Sequence, residues 1–586
     1  MKNFFAFLLI TLLLHSCARV GSPIGGEKDT LAPKFLHSNI DTTRVNVSTK
    51  TKELRLDFDE YVSLKDVTKN LIISPPIKSI KKILPSSIPN KFVLIQWEDT
   101  LQANTTYNFN FGNSIVDNNE SNPLRYFNFA FSTGPVLDDM YISGEVTDGY
   151  SIKKTSSTGN KLVVGLYKLS DSINYREKPY YIAKVDDDGY YELNYLAPGK
   201  YKILAFDDEN GNSVFDSGNE KIGFKKDSVV VEKSISGLNL KVFPSKKQVK
   251  IGELKEVPGG ILVPFEGHPE KVNIRLNEDN PLKNYKVTHT PKSDSVMIWF
   301  NAVEEKIGQT SNDNLKFIYD ADTLTNRKAS IFYKYNPKNA MTVNSTNAGL
   351  LPPKTPLVIS SNYRIERIQP ENWTFTLDSI SAQQFTAKIS ETNPYKIIIN
   401  SDFQMGKKYR LTIPKNTVIS LYDRLSESKR FDFEVDKIEN YGDLVLNLTN
   451  SPTENYWVQL LDSSEKVQYE KYQKGNNVKF DILKPGEYFV RVLVDNNGNR
   501  FWDEADFSTG KPAEDVYIYY KQIIIRPLWN TVEEWDLKDT KVSNAPKTPV
   551  VSPNAPQIPT PTNQVIDSSK TPIKGEGSIL TPVPSK

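Results

Sequence analysis

The chain has 586 residues, which is too long for a single hydrophobic core and suggests about four domains. Its 73 Lys and Arg residues nearly balance 71 Asp and Glu residues, and the net charge of +2 gives no support for a nucleic-acid partner. Aromatic residues make up 11% of the chain, a composition typical of an all-β protein.

The N-terminal residues form one markedly hydrophobic segment. Residues 1–16 combine a short basic start with an apolar run from Phe4 to Leu14, which is too short to span a bilayer and is typical of a signal peptide. The only cysteine of the chain, Cys17, follows directly. A single cysteine excludes both an intrachain disulfide and a cysteine-based zinc site.

The residues before Cys17 indicate how the protein is anchored. Leu14-His15-Ser16-Cys17 places an aliphatic residue three positions before the cysteine and a small residue directly before it, and this resembles the lipobox of bacterial lipoproteins. The resemblance implies that Cys17 is acylated, which anchors the protein to the outer membrane, on the periplasmic face or at the cell surface. An ordinary signal peptide with a chance cysteine is the alternative. Residues 17–30 predict a flexible tether, and the whole pattern resembles lipoproteins of the Bacteroidetes type.

Alternating apolar residues in residues 31–135 predict a first β-sandwich. Leu54, Leu56 and Phe58 share one face of a strand, and Phe127-Asn-Phe-Ala-Phe131 predicts the closing strand. The order of these strands resembles the bacterial Ig-like domain of S-layer-type proteins. The resemblance implies an Ig-like sandwich.

A different pattern characterises residues 139–244. From Asp186 to Tyr201, glycine, tyrosine and leucine recur at regular intervals before a Pro-Gly turn, and the strand after the turn alternates at Tyr201, Ile203 and Ala205. This pattern resembles the prealbumin-like fold of carboxypeptidase regulatory-like domains. The resemblance implies an accessory β-sandwich without catalytic residues.

Two stretches of the chain are repeated. Residues 196–216 align without a gap with residues 483–503, at an offset of 483 − 196 = 287, and predict a second prealbumin-like domain. Tyr409 and Phe431 match Tyr107 and Phe127, and predict a degenerate second Ig-like domain. The predicted order is Ig-like (31–135), prealbumin-like (139–244), a β-sandwich of uncertain family (246–345), degenerate Ig-like (350–437) and prealbumin-like (440–535). A proline-rich tail (538–586) is predicted to be disordered, either passive or reaching toward the cell wall or a partner.

Each prealbumin-like repeat ends in a loop rich in Asp and Asn, which is the clearest chemical signal in the chain. Oxygen-bearing side chains recur at relative positions 1, 3, 5 and 9, as in an EF-hand calcium loop, although glycine stands at position 4 and position 12 is not Glu. The loops also resemble those of the B repeats of staphylococcal Sdr adhesins. We therefore predict a Ca²⁺ site in each loop, and a metal-free turn is the alternative. The candidate ligands are Asp208, Asn210, Asn212, Asp216 and Glu220 in the first loop, and Asp495, Asn497, Asn499, Asp503 and Asp506 in the second.

No sequence motif indicates an enzyme. The four histidines are scattered, and neither a GxSxG, a phosphate-binding loop nor a dinucleotide-binding GxGxxG pattern is present. We therefore expect a protein without catalytic residues.

These patterns together predict an all-β tandem array of Ig-like and prealbumin-like sandwiches. We expect a lipid-anchored cell-envelope protein that serves as a structural or interaction module, stiffened by Ca²⁺ and bound to an unidentified protein or glycan partner. A cell-surface glycan-binding lipoprotein is the alternative. Its stacking platforms would come from the seven tryptophans, Trp97, Trp299, Trp373, Trp457, Trp502, Trp529 and Trp535.

Overall fold

A computed structural model describes residues 29–539, apart from residues 41, 153–160, 170–172, 278, 337–339, 348, 379 and 422–424. Regular structure in these residues is almost entirely β-strand, which confirms the predicted fold class. The helices described are one turn, α1 (Val67–Asn70), and two short 3-10 segments (Pro370–Asn372 and Ile438–Asn440). Within the described ranges, no helix has the length and apolar character needed to cross a membrane.

The predictions for both ends of the chain fall largely on other residues. The predicted signal peptide, Cys17 and nearly all of the predicted tether and tail lie outside the described residues.

The first sandwich contains eight described strands: β1 (Phe35–Ser38), β2 (Glu53–Leu64), β3 (Ile72–Ser74), β4 (Ile80–Leu84), β5 (Asn90–Trp97), β6 (Thr106–Gly112), β7 (Ile115–Asp117) and β8 (Phe127–Ser132). One sheet has the order β1-β2-β5-β4, with β7 paired to the end of β2, and the other has the order β3-β6-β8. Leu54, Leu56 and Phe58 are all buried between the two sheets, because alternate residues of a strand share one face.

The second sandwich also contains eight described strands: β9 (Met140–Asp148), β10 (Leu162–Lys168), β11 (Tyr181–Lys184), β12 (Tyr190–Leu196), β13 (Gly199–Asp207), β14 (Ile222–Phe224), β15 (Val229–Val231) and β16 (Leu240–Val242). One sheet has the order β11-β10-β13-β14, with β15 on β13, and the other has the order β12-β9-β16. The strand β13 carries the predicted alternation, and Tyr201, Ile203 and Ala205 all face the core.

The middle sandwich is built from eight described strands: β17 (Lys250–Ile251), β18 (Lys255–Val257), β19 (Gly260–Glu266), β20 (Val272–Leu276), β21 (Lys286–His289), β22 (Ser295–Trp299), β23 (Asp313–Ala321) and β24 (Leu324–Tyr333). The order β17-β19-β22-β21, with β18 on β19, faces the order β20-β23-β24. The turn that joins β21 to β22 carries Lys292, which matters for the site below.

The fourth sandwich contains β25 (Val343–Ser345), β26 (Leu350–Leu351), β27 (Leu357–Ser361), β28 (Ile365–Ile368), β29 (Thr374–Leu377), β30 (Ser381–Ala382), β31 (Thr386–Ile389), β32 (Lys396–Asn400), β33 (Lys408–Ile413), β34 (Val418–Ser420) and β35 (Lys429–Val435). Its orders β25-β27-β32-β31 and β29-β33-β35 match β1-β2-β5-β4 and β3-β6-β8 of the first sandwich. In both sandwiches a tyrosine hydroxyl, of Tyr107 or Tyr409, accepts the amide N–H of the residue five positions earlier, at 2.8 Å. The first strand of this sandwich begins before the predicted boundary at residue 350.

The fifth sandwich contains β36 (Gly442–Thr449), β37 (Asn455–Leu461), β38 (Val467–Gln473), β39 (Asn477–Leu483), β40 (Gly486–Asp495), β41 (Val516–Ile518), β42 (Ile523–Ile525) and β43 (Asn530–Asp536). Its orders β38-β37-β40-β41, with β42 on β40, and β39-β36-β43 reproduce those of the second sandwich strand by strand. In both, the last strand pairs in parallel with the first. The repeat in sequence is therefore a repeat in topology.

Candidate functional site at the junction of the two repeats

The two Asp/Asn loops have the same backbone conformation. Gly211 and Gly498, at position 4, both have φ +72°, and Ser213 and Arg500, at position 6, have φ +62° and +63°. An EF-hand loop places its glycine at position 6, where the chain turns sharply. These loops make a left-handed turn at the same position without a glycine, which the sequence pattern alone did not reveal.

In the first loop, the Asp and Asn side chains form hydrogen bonds with the loop backbone and with one another. The Oδ2 atom of Asp208 accepts the amide N–H of Ser213 at 3.0 Å, and the Oδ1 atom of Asn210 accepts the amide N–H of Asn212 at 2.9 Å. The side-chain amides of Asn210 and Asn212 both donate to the Oδ2 atom of Asp216. Four of the five predicted ligands thus converge on one small loop.

The fifth predicted ligand, Glu220, accepts hydrogen bonds from backbone groups at both ends of the loop. Its carboxylate is buried and accepts the amide N–H groups of Glu209, at 3.0 Å, and Asp216, at 2.8 Å. Burial is the main cause that raises the pKa of Glu220 to about 7, and the neighbouring carboxylates of Asp216 and Asp208 raise it further. Glu220 therefore stabilises the ends of the loop, with both oxygens occupied by backbone donors.

One oxygen of the first loop is left without a partner. Asp208 is only 8% exposed, and among the described residues nothing forms a hydrogen bond with its buried Oδ1 atom. A buried carboxylate oxygen without a donor is costly unless a cation or a proton satisfies it. The Oδ1 atom of Asp208 is therefore available to accept a further donor or a cation.

The second loop repeats this framework with a different partner for its first aspartate. Asp495 accepts the amide N–H of Asn499 at 3.1 Å and that of Arg500 at 3.0 Å, and the hydroxyl of Tyr472 donates to it at 2.8 Å. The side-chain amide of Asn497 donates to Asp503 at 2.7 Å. Both carboxylate oxygens of Asp495 are therefore satisfied.

Glu514, rather than Asp506, occupies the position equivalent to Glu220. It is 4% exposed and accepts the amide N–H groups of Asn496, at 2.8 Å, and Asp503, at 2.9 Å. The spacing differs because 514 − 503 = 11 whereas 220 − 216 = 4, so the second loop carries seven additional residues. Asp506 lies within this insertion, where it accepts the hydroxyl of Ser508 at 2.6 Å and pairs with Lys246 at 3.5 Å. In both copies the glutamate stands two residues before the next strand, a signal that could have identified Glu514.

Two ammonium groups reach the last aspartate of the second loop. The Nζ atoms of Lys292 and Lys511 lie 3.1 Å and 2.7 Å from the Oδ1 and Oδ2 atoms of Asp503. Although burial acts in the opposite direction, hydrogen bonds from both lysines lower the pKa of Asp503 to about 2. Asp216 has no such partner: among the described residues, no ammonium or guanidinium group pairs with it.

The inserted segment joins the two repeats, which are separated in sequence by two whole sandwiches. The ring of Phe507 packs against Tyr175, Phe215 and Phe224 on the outer face of the sheet formed by β10, β13 and β14, with ring centroids 4.7 to 5.8 Å apart. Ala505 is buried in the same apolar cluster. The predicted array is therefore folded back on itself at this point.

The linker between the second and middle sandwiches runs through the same junction. The amide N–H of Ala505 donates to Pro244 at 3.0 Å, and the amide N–H of Lys246 donates to Ala505 at 2.8 Å. Between them, the hydroxyl of Ser245 donates to the carbonyl of Glu220 at 2.6 Å and accepts the amide N–H of Gly218 at 2.8 Å. The first Asp/Asn loop and the insertion of the second are thus both hydrogen-bonded to one three-residue segment of this linker, residues 244–246.

A buried arginine makes a second contact between the repeats. Arg491 is 4% exposed, donates to the carbonyl of Tyr150 at 3.0 Å and lies 4.0 Å from the centre of the Tyr150 ring. The Tyr150 ring also packs on Trp502 at 4.7 Å. Because a desolvated guanidinium needs acceptors, Arg491 favours the docked arrangement, in which Tyr150 supplies one.

Most tryptophans serve as packing residues. Trp97, Trp299, Trp373 and Trp535 are buried, and Trp457 and Trp502 are partly buried against Tyr472 and Tyr150. Trp529 is 59% exposed, beside the guanidinium of Arg526 at 5.0 Å. Trp529 is therefore the one tryptophan, of these seven, whose ring is mostly open to solvent.

The chemistry of the first loop fits a hard cation held by mixed oxygen ligands. Within the described part of the chain, no three His, Cys, Asp or Glu side chains converge closely enough to bind a metal by themselves. Any cation there depends on amide and carbonyl oxygens in addition to Asp208 and Asp216. Such oxygen-only sets are what Ca²⁺ accepts.

Comparison with known proteins places only the first sandwich in a family. A model described as "Bacterial Ig-like domain" matches residues 29–133. No curated protein matches the chain. Similar solved structures include a DUF3823 family protein from Parabacteroides merdae (15% identity, 34% of this chain and 98% of that chain, TM-score 0.13) and the S-layer protein rSbsC(31-844) (10% identity, 85% and 67%, TM-score 0.14). Another is SGBP-B of a Bacteroides ovatus mixed-linkage glucan utilization locus, solved with a mixed-linkage heptasaccharide (10% identity, 65% and 94%, TM-score 0.18). The first sandwich is Ig-like by this family match and by its own strand topology.

Proposed function

We propose that the protein is a non-catalytic, lipid-anchored scaffold of a bacterial cell envelope, acting as a structural or interaction module. The observation that carries the proposal is the docking of the two prealbumin-like repeats through Phe507, Ala505 and Arg491. Independent sandwiches on flexible linkers would leave these apolar and charged groups in water, and burying them instead produces a stiff unit. A stiff unit on a lipid anchor suits a spacer or a platform for a protein or glycan partner.

The anchor is tested by removing the lipid attachment residue. Cys17→Ser is expected to abolish incorporation of radiolabelled palmitate and to release the protein from the outer-membrane fraction, because acyl chains supply the membrane affinity. Ser16→Ala retains the small residue before the cysteine and serves as the control. Unchanged labelling and fractionation of the Cys17→Ser variant would refute the lipoprotein assignment.

Calcium at the first loop is part of the same proposal. The buried, unpartnered Oδ1 atom of Asp208 and the excess of carboxylates favour a cation there. Asp208, Asp216, the amide oxygens of Asn210 and Asn212, and the carbonyl of Val214 are the ligands available. Since Asn210 and Asn212 donate to Asp216 in the structure, each amide must rotate to present its oxygen, so binding is expected at the weak end, with Kd of about 10⁻⁴ to 10⁻³ M.

The calcium proposal is tested by melting the full chain with Ca²⁺ and with a chelator. At a free Ca²⁺ concentration ten times the Kd, linkage stabilises the folded state by about 1.4 kcal/mol. Asp208→Asn removes this response, whereas Glu232→Gln, an exposed substitution on the same sandwich, retains it. Identical melts of the unmodified chain in both solutions would leave the loop as a metal-free turn.

A glycan-binding lipoprotein remains the second candidate, and the exposed ring of Trp529 favours it. An exposed tryptophan offers an apolar face on which a sugar ring can stack, and Arg526 beside it can donate hydrogen bonds to hydroxyl groups. A glycan array probed with the detergent-solubilised protein tests this role. Binding that is lost in Trp529→Ala and kept in Trp457→Phe would support it, and the absence of any bound glycan would eliminate it.

A further inference from the structure

The two Asp/Asn loops share a backbone but differ in how their last aspartate is neutralised. In the first loop, the carboxylate of Asp216 receives, among the described residues, only the side-chain amide N–H groups of Asn210 and Asn212. In the second loop, Asp503 receives two ammonium groups in addition to the amides of Asn497 and Asn499. A divalent cation and two ammonium groups supply the same charge to the same carboxylate.

Neither lysine comes from the part of the loop that is repeated. Lys511 belongs to the segment between Asp503 and Glu514, which is seven residues longer than the equivalent segment between Asp216 and Glu220. Lys292 belongs to the middle sandwich, in the turn between β21 and β22, and has φ +59°. The Lys292 ammonium also lies 4.8 Å from the centre of the Phe501 ring, at position 7 of the loop. Its side chain is only 23% exposed, so the contact is a partly buried one with two distinct partners.

We propose that the second loop is a copy of the cation site in which Lys292 and Lys511 take the place of the metal, so that the loop fastens the middle sandwich to the fifth without Ca²⁺. The proposal rests on the proposed Ca²⁺ site of the first loop for its comparison. It adds that the chain binds one Ca²⁺ rather than two. It also adds that a residue from another domain, Lys292, supplies part of the positive charge that neutralises Asp503 in the second loop.

The physical basis is competition for one carboxylate. A cation bound among Asp495, Asn497, Asn499 and Asp503 would lie against the two ammonium groups, and like charges at such distances repel strongly in a partly buried site. The Tyr472 hydroxyl on Asp495 removes the other unmet acceptor. With both aspartates satisfied by protein groups, a metal gains little at this loop.

Removing the two ammonium groups should therefore create a second metal site. Calorimetric titration of the chelator-treated, detergent-solubilised full chain with CaCl₂ is expected to give a stoichiometry of one, and Lys292→Met with Lys511→Met is expected to give two. Lys246→Met is the matched control, because Lys246 pairs with Asp506 and not with Asp503, and its stoichiometry should stay at one. A stoichiometry of two in the unmodified chain would overturn the proposal.

The outcomes separate this inference from the calcium proposal. If the unmodified chain binds no Ca²⁺ and the double variant binds one, the first-loop site fails and the lysine replacement stands. If both bind one, the first-loop site stands and the lysine replacement is wrong. Binding in neither chain eliminates both.

A second measurement covers the case in which the double variant folds poorly. Lys292→Met alone should reduce hydrogen-exchange protection of the Phe501 amide, which donates to Asn499 at 2.7 Å. Lys292→Arg keeps the positive charge and should retain the protection without Ca²⁺. Unchanged protection in Lys292→Met would contradict the fastening role of Lys292.

Discussion

Truncating Phe507 should loosen the docking of the two repeats without unfolding either sandwich. The ring makes edge-to-face contacts with Tyr175, Phe215 and Phe224, and each such pair contributes about 0.5–1.5 kcal/mol beyond the apolar area it buries. A fully buried Phe→Ala change costs about 3–5 kcal/mol, and Phe507 is half-buried. We therefore expect Phe507→Ala to weaken docking by about 2 kcal/mol, which raises the undocked population by about 30-fold.

Two backbone amides report directly on this equilibrium. The N–H groups of Ala505 and Lys246 form hydrogen bonds across the junction, so they exchange with solvent when the repeats separate. Hydrogen exchange should show about 30-fold less protection at both amides in Phe507→Ala. Phe332→Ala, which truncates a ring that is 65% exposed on the middle sandwich, should leave both unchanged. Equal protection in the Phe507→Ala variant and the unmodified chain would refute the docking role of Phe507.

Three further perturbations have defined outcomes. Because burial raises the pKa of Glu220 from 4.5 to about 7, the folded state binds its proton more tightly than the unfolded state does. The free energy of unfolding should therefore fall by at most about 3 kcal/mol as pH rises from 4.5 to about 7. Urea unfolding measured from pH 4 to 8 should show this fall in the unmodified chain and a flatter pH dependence in Glu220→Gln. An equal pH dependence in both would be inconsistent with a buried, titrating Glu220. Arg491→Met should reduce protection of the Ala505 amide because the contact with Tyr150 is lost, whereas Arg430→Met, at an exposed ion pair, should not; equal protection in both would exclude Arg491 from the docking interface. A chain that ends after Asp539 should melt like the full chain, since it retains the buried Trp535 and Leu537, whereas a chain that ends at Glu534 should melt lower in calorimetry; a lower melting temperature after the first truncation would show that the tail packs.

Much of the fold follows from patterns that a single strand reveals. The alternation of Leu54, Leu56 and Phe58, or of Tyr201, Ile203 and Ala205, fixes which face of a strand is buried, because the side-chain period of a strand is two residues. The internal repeat predicted a shared topology, and the second and fifth sandwiches have the same strand order. These features depend on local sequence, and local sequence is enough to predict them.

The site was only partly predictable because its decisive contacts are long-range. The gapless alignment ends at Asp503 and does not show the seven-residue insertion, so the sequence predicts Asp506 as a ligand, whereas Glu514 occupies the position equivalent to Glu220. Lys292 lies 211 residues from Asp503 in sequence, and no periodicity connects them. Phe507 lies in a polar segment. A single aromatic residue in such a segment does not indicate a docking contact, because the sheet against which it packs belongs to a distant sandwich.

The junction itself can be tested most directly with a zero-length carbodiimide cross-linker, which joins a lysine ammonium to a carboxylate only where the two are in contact. The structure predicts cross-linked peptides that join Lys292 to Asp503 and Lys246 to Asp506, whose charged atoms lie 3.1 Å and 3.5 Å apart across the junction. The Lys161–Glu209 pair lies within the second sandwich and controls for reactivity. Mass spectrometry that finds all three links would establish that the second loop of the fifth sandwich meets both the middle sandwich and the linker that follows the second sandwich. Recovery of the Lys161–Glu209 link alone would contradict the docked arrangement.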